Sequence, residues 1–191
     1  KVIIMRIITG RAKGTRLETL KGLATRPTSE KVKEAVFSMI QFETEGRRVL
    51  ELFAGSGQLS LEALSRGARE AVLVDSSRQA AEIIRKNALR TKLFNQLKIL
   101  TEDYKTAIKK LERGDRFDIM FCDAPYAAKL TGDAISRVID ANLLSDYGVI
   151  VCESDEPKPY EHPRLSVRRH NRYGRTYITV YDMIPETGKN V

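Results

Sequence analysis

Between Arg48 and Glu153 the chain alternates short apolar runs with segments of helical period, and few folds accommodate that order. The apolar runs cover residues 49–53, 71–75, 97–100, 117–123 and 149–153. Each is too short for a helix and too continuously apolar for a strand with one wet face, so each reads as a strand buried on both sides. Residues 55–64, 77–90, 104–111 and 130–141 carry the helical spacing that would supply those covers, with Ser76 and Gln79 placed as a capping box for the second helix. Strand and helix in alternation predict an α/β, doubly wound, mostly parallel sheet. Two β-rich runs then follow, residues 165–171 and 176–182, joined through Arg172-Tyr173-Gly174-Arg175. They predict a C-terminal antiparallel hairpin closing one sheet edge, with glycine where the turn needs a positive φ.

The N-terminal part has a different rhythm. Residues 5–9 and 15–20 are β-like and flank Gly10-Arg11-Ala12-Lys13-Gly14, which predicts a basic hairpin. Thr28 or Ser29 then caps a helix whose apolar residues Val32, Ala35, Val36, Met39 and Ile40 share one face. The expected organisation is an N-terminal basic β-hairpin extension (1–24), one α/β domain (25–185) and a flexible tail (186–191).

Net charge is +8, and it is unevenly placed: residues 1–48 carry 11 basic and 5 acidic groups, whereas residues 49–155 are nearly neutral. A polyanion approached by the basic ends accounts for that asymmetry. Cys122 and Cys152 both lie inside apolar runs, which gives no support to a disulfide framework or a metal cluster and fits a reducing, cytoplasmic setting. His162 and His170 have no metal-ligand spacing, and no apolar run approaches the roughly 20 residues of a membrane span. Neither a metal nor a membrane is expected, and nothing calls for more than a monomer.

In a doubly wound sheet the ligand sits outside the carboxyl ends of the strands, so residues just after each strand carry the chemistry. Phe53-Ala54-Gly55-Ser56-Gly57 follows the first strand and lets a ligand approach the backbone and a helix N-terminus. Serine stands at position 60 where a dinucleotide fingerprint would have its third small residue, which demotes a nicotinamide cofactor. Asp75 follows the second strand, where a carboxylate takes ribose hydroxyls, or else simply caps a helix. Asp103 follows the third. Phe121-Cys122-Asp123-Ala124-Pro125-Tyr126 ends the fourth, and a carboxylate, exposed carbonyls and an aromatic ring in that order suit a flat base bearing an exocyclic amine.

With these motifs together the chain resembles the RsmD family of 16S rRNA guanine-N2 methyltransferases, within the class I enzymes that use S-adenosylmethionine. The resemblance rests on Met5-Arg6-Ile7-Ile8-Thr9-Gly10, Thr25-Arg26-Pro27-Thr28, Glu51-Leu52-Phe53-Ala54-Gly55-Ser56-Gly57, Glu62-Ala63-Leu64-Ser65-Arg66-Gly67-Ala68 and Asp123-Ala124-Pro125-Tyr126. It implies a seven-stranded sheet and an S-adenosyl-L-methionine pocket. Glu51, Gly55 and Gly57 would border the methionine part of that cofactor, Asp75 its ribose and Asp103 its adenine, with Phe53, Ser76 and Tyr104 in the same pocket. Asp123, Ala124, Pro125 and Tyr126 would hold the guanine. The family pattern here is Asp-Pro-Pro-Tyr, so Ala124 is a departure. The implied partner is 16S rRNA in the small ribosomal subunit or an assembly intermediate, with Arg6, Arg11, Lys13, Arg16 and Arg26 as a cluster of phosphate contacts beside the site. Two other readings stay open: adenine N6 as the methylated amine, and a non-catalytic RNA-binding protein with a vestigial pocket. Successive strand residues point to opposite faces, so Cys122 is expected to pack in the core while Asp123 faces the site.

Overall fold

The computed structural model describes residues 5–20, 30–111, 114–124 and 128–185. Arg26 and the rest of Thr25-Arg26-Pro27-Thr28, together with Pro125 and Tyr126, lie outside the described residues.

The chain order is β1 (Met5–Arg6), β2 (Arg16–Leu17), α1 (Glu30–Met39), β3 (Arg48–Leu52), α2 (Gln58–Ser65), β4 (Glu70–Val74), α3 (Arg78–Arg90), β5 (Leu97–Leu100), α4 (Tyr104–Leu111), β6 (Phe117–Cys122), α5 (Ala128–Asp140), β7 (Leu144–Ser154), β8 (Leu165–Tyr173) and β9 (Thr176–Met183). Seven strands form one sheet in the order β5-β4-β3-β6-β7-β9-β8. β5, β4, β3, β6 and β7 are parallel, and β9 and β8 complete the sheet antiparallel. The direction of succession reverses between β3 and β6, where β4 lies on one side of β3 and the later strands on the other; this is the switch point at which such sheets bind ligands.

Side-chain alternation divides the core into two layers. Val49, Leu73, Ile119, Phe121, Val151 and Val180 face α1, α2 and α3. Leu50, Leu52, Met120, Cys122, Ile150, Cys152 and Tyr181 face α4 and α5. The strands read as continuous apolar runs because both faces are covered.

The expected elements occur close to their predicted positions, with three informative differences. The first helix after the glycine turn begins at Gln58 rather than residue 55, because Gly57 takes a left-handed φ of 71° and the turn must finish before the helix can start. The cap of α3 is Ser77, whose hydroxyl accepts from Ala80 N at 3.3 Å, so the Ser76/Gln79 capping box does not form. The N-terminal strands shrink to two residues each, Met5 pairing with Leu17 and Arg6 with Arg16.

That last difference has a clear cause. Ile7 N still donates to Thr15 O at 2.9 Å, but the next donor on that side, Thr9 N, turns to the Glu62 carboxylate at 3.0 Å, as does the oppositely directed Ile8 N at 2.8 Å. Glu62 is fully buried on α2; it also pairs with Lys33 of α1 at 3.3 Å and with Arg66 at 2.9 Å. The Lys33 ammonium, equally buried, donates to Arg6 O at 2.6 Å. One turn further along α2, Ser65 Oγ accepts from Ala12 N at 3.0 Å and donates to Thr9 O at 2.6 Å. Gly10 is wedged against this turn at φ 84°, and a Cβ there would stand 1.9 Å from Ser65 O. The hairpin is therefore docked on α2, with Met5, Ile7, Ala12 and Leu17 inside the same core layer as the sheet.

Removing one partner from a buried, hydrogen-bonded charge set leaves the others desolvated without compensation, at a cost of about 3–5 kcal/mol. Glu62→Ala is expected to lower the unfolding free energy by that amount in urea titrations, since Lys33 and two backbone N–H groups lose their acceptor together. Lys33→Met should cost less, because Arg66 and the backbone still satisfy Glu62; equal losses for the two variants would contradict this division.

Candidate active site at the strand carboxyl ends

The carboxyl ends of β3, β4, β6 and β7 bring four carboxylates into one region: Glu51, Asp75, Asp123 and Glu153. Glu51 lies in β3 with its side chain in the α2 layer, 4% exposed, and accepts from Ser60 N at 2.9 Å. Burial pushes its carboxyl up to about 7, and the nearby charge of Asp75 acts in the same direction. Asp123 is raised well above the ordinary carboxylate range, first by desolvation and then by the charges of Glu153 and Glu51. Paired rows of the sheet explain the meeting: Glu51 is level with Phe121, and Cys122 is level with Cys152, so Asp123 follows β6 beside Glu153 of β7. The rule that pointed to the other strand ends points equally to Glu153, which closes the fifth apolar run.

The first turn is tightly specified. Phe53 adopts a φ of 59°, rare for a bulky side chain, and its ring packs against Tyr104 at 5.1 Å between centroids. This reversal brings Ala54 N to Val74 O at 3.0 Å and Gly55 N to the Asp75 carboxylate at 2.8 Å. Gly57 has no room for a Cβ, which would sit 2.8 Å from Leu73 Cδ2, whereas at Gly55 nothing lies within 4 Å of where one would be. The glycine turn is thus packed from below and open at its crest. Asn87 of α3, fully buried, holds the turn from behind by donating to Ser56 O at 3.0 Å, and binds Glu18 N and O at 2.8 and 2.9 Å.

Asp75 also accepts from Ser77 N at 2.9 Å, so it shapes the start of α3 as well as the glycine turn. Asp103 is exposed and accepts from Lys105 N at 2.9 Å at the start of α4. Tyr104 is buried, donates its hydroxyl to Asp133 at 2.6 Å, and has its phenol raised to about 12 by burial and by that carboxylate. Ser76 is exposed between Asp75 and the α3 cap. Ala124 is half-buried against the α5 layer, and its backbone N–H is directed at the Cys122 sulfur.

Both cysteines are free, buried in the α4–α5 layer, and have thiols displaced upward by desolvation, Cys152 to about 12. Neither offers a thiolate near neutral pH, and Cys122 points away from the side on which Asp123 meets Glu51, as the alternation along β6 requires. Among the described residues no group of three or more His, Cys, Asp or Glu has metal-holding geometry, and no helix is long and apolar enough to cross a membrane.

The basic residues expected beside the site are dispersed. Arg6 pairs with Glu30 at 3.0 Å. Arg11 binds Ser65 O through its backbone, and its guanidinium reaches Gln96 and Leu64 O. Ser65 ends α2 and Gln96 precedes β5, so the turn carrying Arg11 and Lys13 lies at the end of the sheet opposite to the four carboxylates. Arg16 lies at the return strand of the same hairpin.

Comparison with known proteins follows the same outline. Residues 5–182 match the family described as conserved hypothetical protein 95. The chain is 34% identical over 182 residues to YlbH of Bacillus subtilis, covering 93% of this chain and 98% of that protein. It is 31% identical over 160 residues to ribosomal RNA small subunit methyltransferase D of Haemophilus influenzae, covering 83% of each. The solved structure of yhhF from Escherichia coli superimposes with a TM-score of 0.85 at 29% identity, over 96% of this chain and 99% of that one.

The buried carboxyl of Glu51 gives a pH signature. Its folded value lies near 7 against an ordinary 4.5, so between those values the folded state keeps a proton that the unfolded state has lost. That contribution is present at low pH, is lost as pH rises through the window, and is constant above it. Glu51→Gln, which keeps an acceptor for Ser60 N, is expected to gain about 3 kcal/mol relative to wild type between pH 4.5 and pH 8 in denaturant titrations. A difference independent of pH would show that Glu51 is not a desolvated carboxyl.

Proposed function

This chain belongs to the RsmD family of class I methyltransferases, and we propose on that footing that it transfers a methyl group from S-adenosyl-L-methionine to the exocyclic N2 amine of a guanine in 16S rRNA, at a position of the guanine-966 type. The observation that carries the reading is the convergence of Glu51, Asp75, Asp123 and Glu153 on the carboxyl ends of the strands around an open glycine turn.

The residues present fit the cofactor. A ligand bearing a sulfonium and an ammonium group gains from a row of carboxylates that otherwise repel one another. Gln58, in the first turn of α2, adds a buried Oε1 with no hydrogen-bond partner among the described residues, an acceptor suited to a ligand N–H. Glu51, Gly55 and Gly57 would hold the methionine part, Asp75 and Ser76 the ribose, and Asp103 the adenine amine, with Phe53 and Tyr104 flanking the ring. When bound, S-adenosylmethionine supplies an electrophilic methyl carbon and departs as the neutral thioether.

The chain's own contribution is to present the nucleophile. The lone pair of guanine N2 is delocalised into the ring and nucleophilic only weakly. Asp123, with a carbonyl of the Ala124-Pro125 segment, would accept both N–H bonds and turn the lone pair toward the methyl carbon, while Tyr126 stacks on the base. As the N–C bond forms and the C–S bond breaks, N2 gives up one proton, which Asp123 accepts or passes to water. A base paired within a helix hides this amine, so the guanine enters unstacked. For RNA contact the reading keeps Arg16, which forms no ion pair among the described residues, and Arg26; Arg6 and Arg11 are engaged within the protein, and Lys13 shares the turn at the far end of the sheet.

Labelled cofactor offered to small-subunit particles lacking the modification should yield N2-methylguanosine after nuclease digestion. Recovery of N6-methyladenosine instead would replace the target amine, and no incorporation would remove the catalytic reading. Asp123→Ala is expected to lower the transfer rate by about 100-fold or more while leaving S-adenosylmethionine affinity within a few-fold of wild type. Loss of both together would contradict the separation of roles.

A further inference from the structure

The turn carrying Arg11 and Lys13 lies at the far end of the sheet, and the register of the C-terminal strands puts a different group of cations at the near end. Glu153 pairs with Ile178, and Ile178 with Asn171, so a single row runs from Asp123 through β7 and β9 to Asn171 of β8. Three interstrand spacings separate the ends of that row, about 14 Å. Arg172, Tyr173, Gly174 and Arg175 lie beyond it and form the tip of the β8–β9 hairpin, with Gly174 at φ 67° closing the turn.

This tip is ordered by its own side chains. The rings of His170 and Tyr177 stack at 5.1 Å with an interplanar angle of 5°. His170 is fixed by Thr179 Oγ1 at 2.9 Å and Pro157 O at 3.1 Å. The Arg172 guanidinium sits 5.9 Å from the centre of the Tyr177 ring, and its Nε donates to Gly174 O at 2.9 Å. Arg169, Arg172 and Arg175 are exposed, and none forms an ion pair among the described residues, although Asp155 and Glu156 are close by in sequence to the end of β7. By contrast, neighbouring Arg168 is held by Glu43 and Asp182. None of the three must break an ion pair to meet an anion, and Arg172, already held by the Tyr177 ring and Gly174 O, loses little conformational entropy in doing so.

We propose that the β8–β9 tip is a phosphate-binding arm for the RNA strand flanking the target base, with Arg172 and Arg175 as its contacts and the His170–Tyr177 stack as its support. The proposal rests on the RNA-methylating reading above and adds a surface to it. A strand whose guanine is held at Asp123 has its neighbouring phosphates within reach of the tip, and the guanidinium fork matches their oxygens.

The test compares wild type with Arg172→Ala/Arg175→Ala in binding a 16S rRNA transcript across a salt series. Two lost phosphate contacts should make the slope of log affinity against log salt shallower by about 1.4, with affinity at low salt reduced about tenfold or more. S-adenosylmethionine affinity and the melting temperature should be unchanged, and Arg175→Gln alone should show about half the slope change. An unchanged slope in a wild type that does bind the transcript would overturn the arm while leaving the methyltransfer reading standing. A wild type with no salt-dependent RNA affinity would overturn that reading, and the arm with it. Unaltered affinity for the transcript together with lost binding to small-subunit particles would assign the tip to a protein partner and overturn the proposal.

Discussion

The Glu62 carboxylate is the interaction on which the assembly of this molecule depends. It has no access to solvent, yet it satisfies two hairpin N–H groups, a buried ammonium on α1 and a guanidinium on its own helix. A charge in that position would be prohibitive alone and is tolerable only because four donors converge on it. Convergence fixes geometry: hairpin, α1 and α2 can be arranged in one way about a single carboxylate. Since α2 begins at the glycine turn, the set that anchors the N-terminal segment also holds the helix from which the ligand-facing turn emerges. Asn87 repeats the connection on the other flank, touching Glu18 of the hairpin return and Ser56 of the turn with one amide. Two of the sequence stretches that carried the family resemblance, Met5 to Gly10 and Glu62 to Ala68, are therefore the two sides of a docking interface remote from the chemistry.

The site obeys the opposite logic. Desolvation and the charges of neighbouring carboxylates raise the proton affinity of Glu51 and of Asp123, and no cation of the described protein neutralises either in compensation. Such an arrangement costs stability in the free protein and recovers it when a cationic ligand arrives. The contrast between a buried charge at Glu62 that meets two cations and buried carboxyls at Glu51 and Asp123 that are raised by desolvation and by neighbouring carboxylates separates what builds the fold from what uses it.

Much of this was legible because strand and helix periods are local. The five parallel strands and the antiparallel closure follow from apolar runs and their punctuation, and the strand-end rule picks out Asp75, Asp103 and Asp123 without further help. Glu153 obeys the same rule, since it closes the last of the parallel apolar runs. Other features depend on distant partners and leave no local trace. Nothing in the pattern of α2 distinguishes Glu62, a helix-surface residue by type, from a solvated one, and nothing in the basic turn shows that Ser65 and Gln96 would hold it at the wrong end of the sheet. A hairpin rich in arginine reads as a ligand arm; whether it reaches the ligand is decided by where its backbone donors find acceptors.

Ala124 shows how far a departure from the family pattern can be absorbed. Proline there would fix φ and remove a backbone donor. Alanine keeps the donor, which lies two residues beyond the end of β6 and slightly offsets the upward displacement of the Cys122 thiol. The contact is weak, since sulfur is a poor acceptor. It sets the segment after Asp123 beside a side chain that is buried within the α5 layer, 1% exposed. The following Pro125 still biases Ala124 toward extended backbone. Rigidity that the family pattern supplies through a ring closed on the main chain at this position is here left to the next proline.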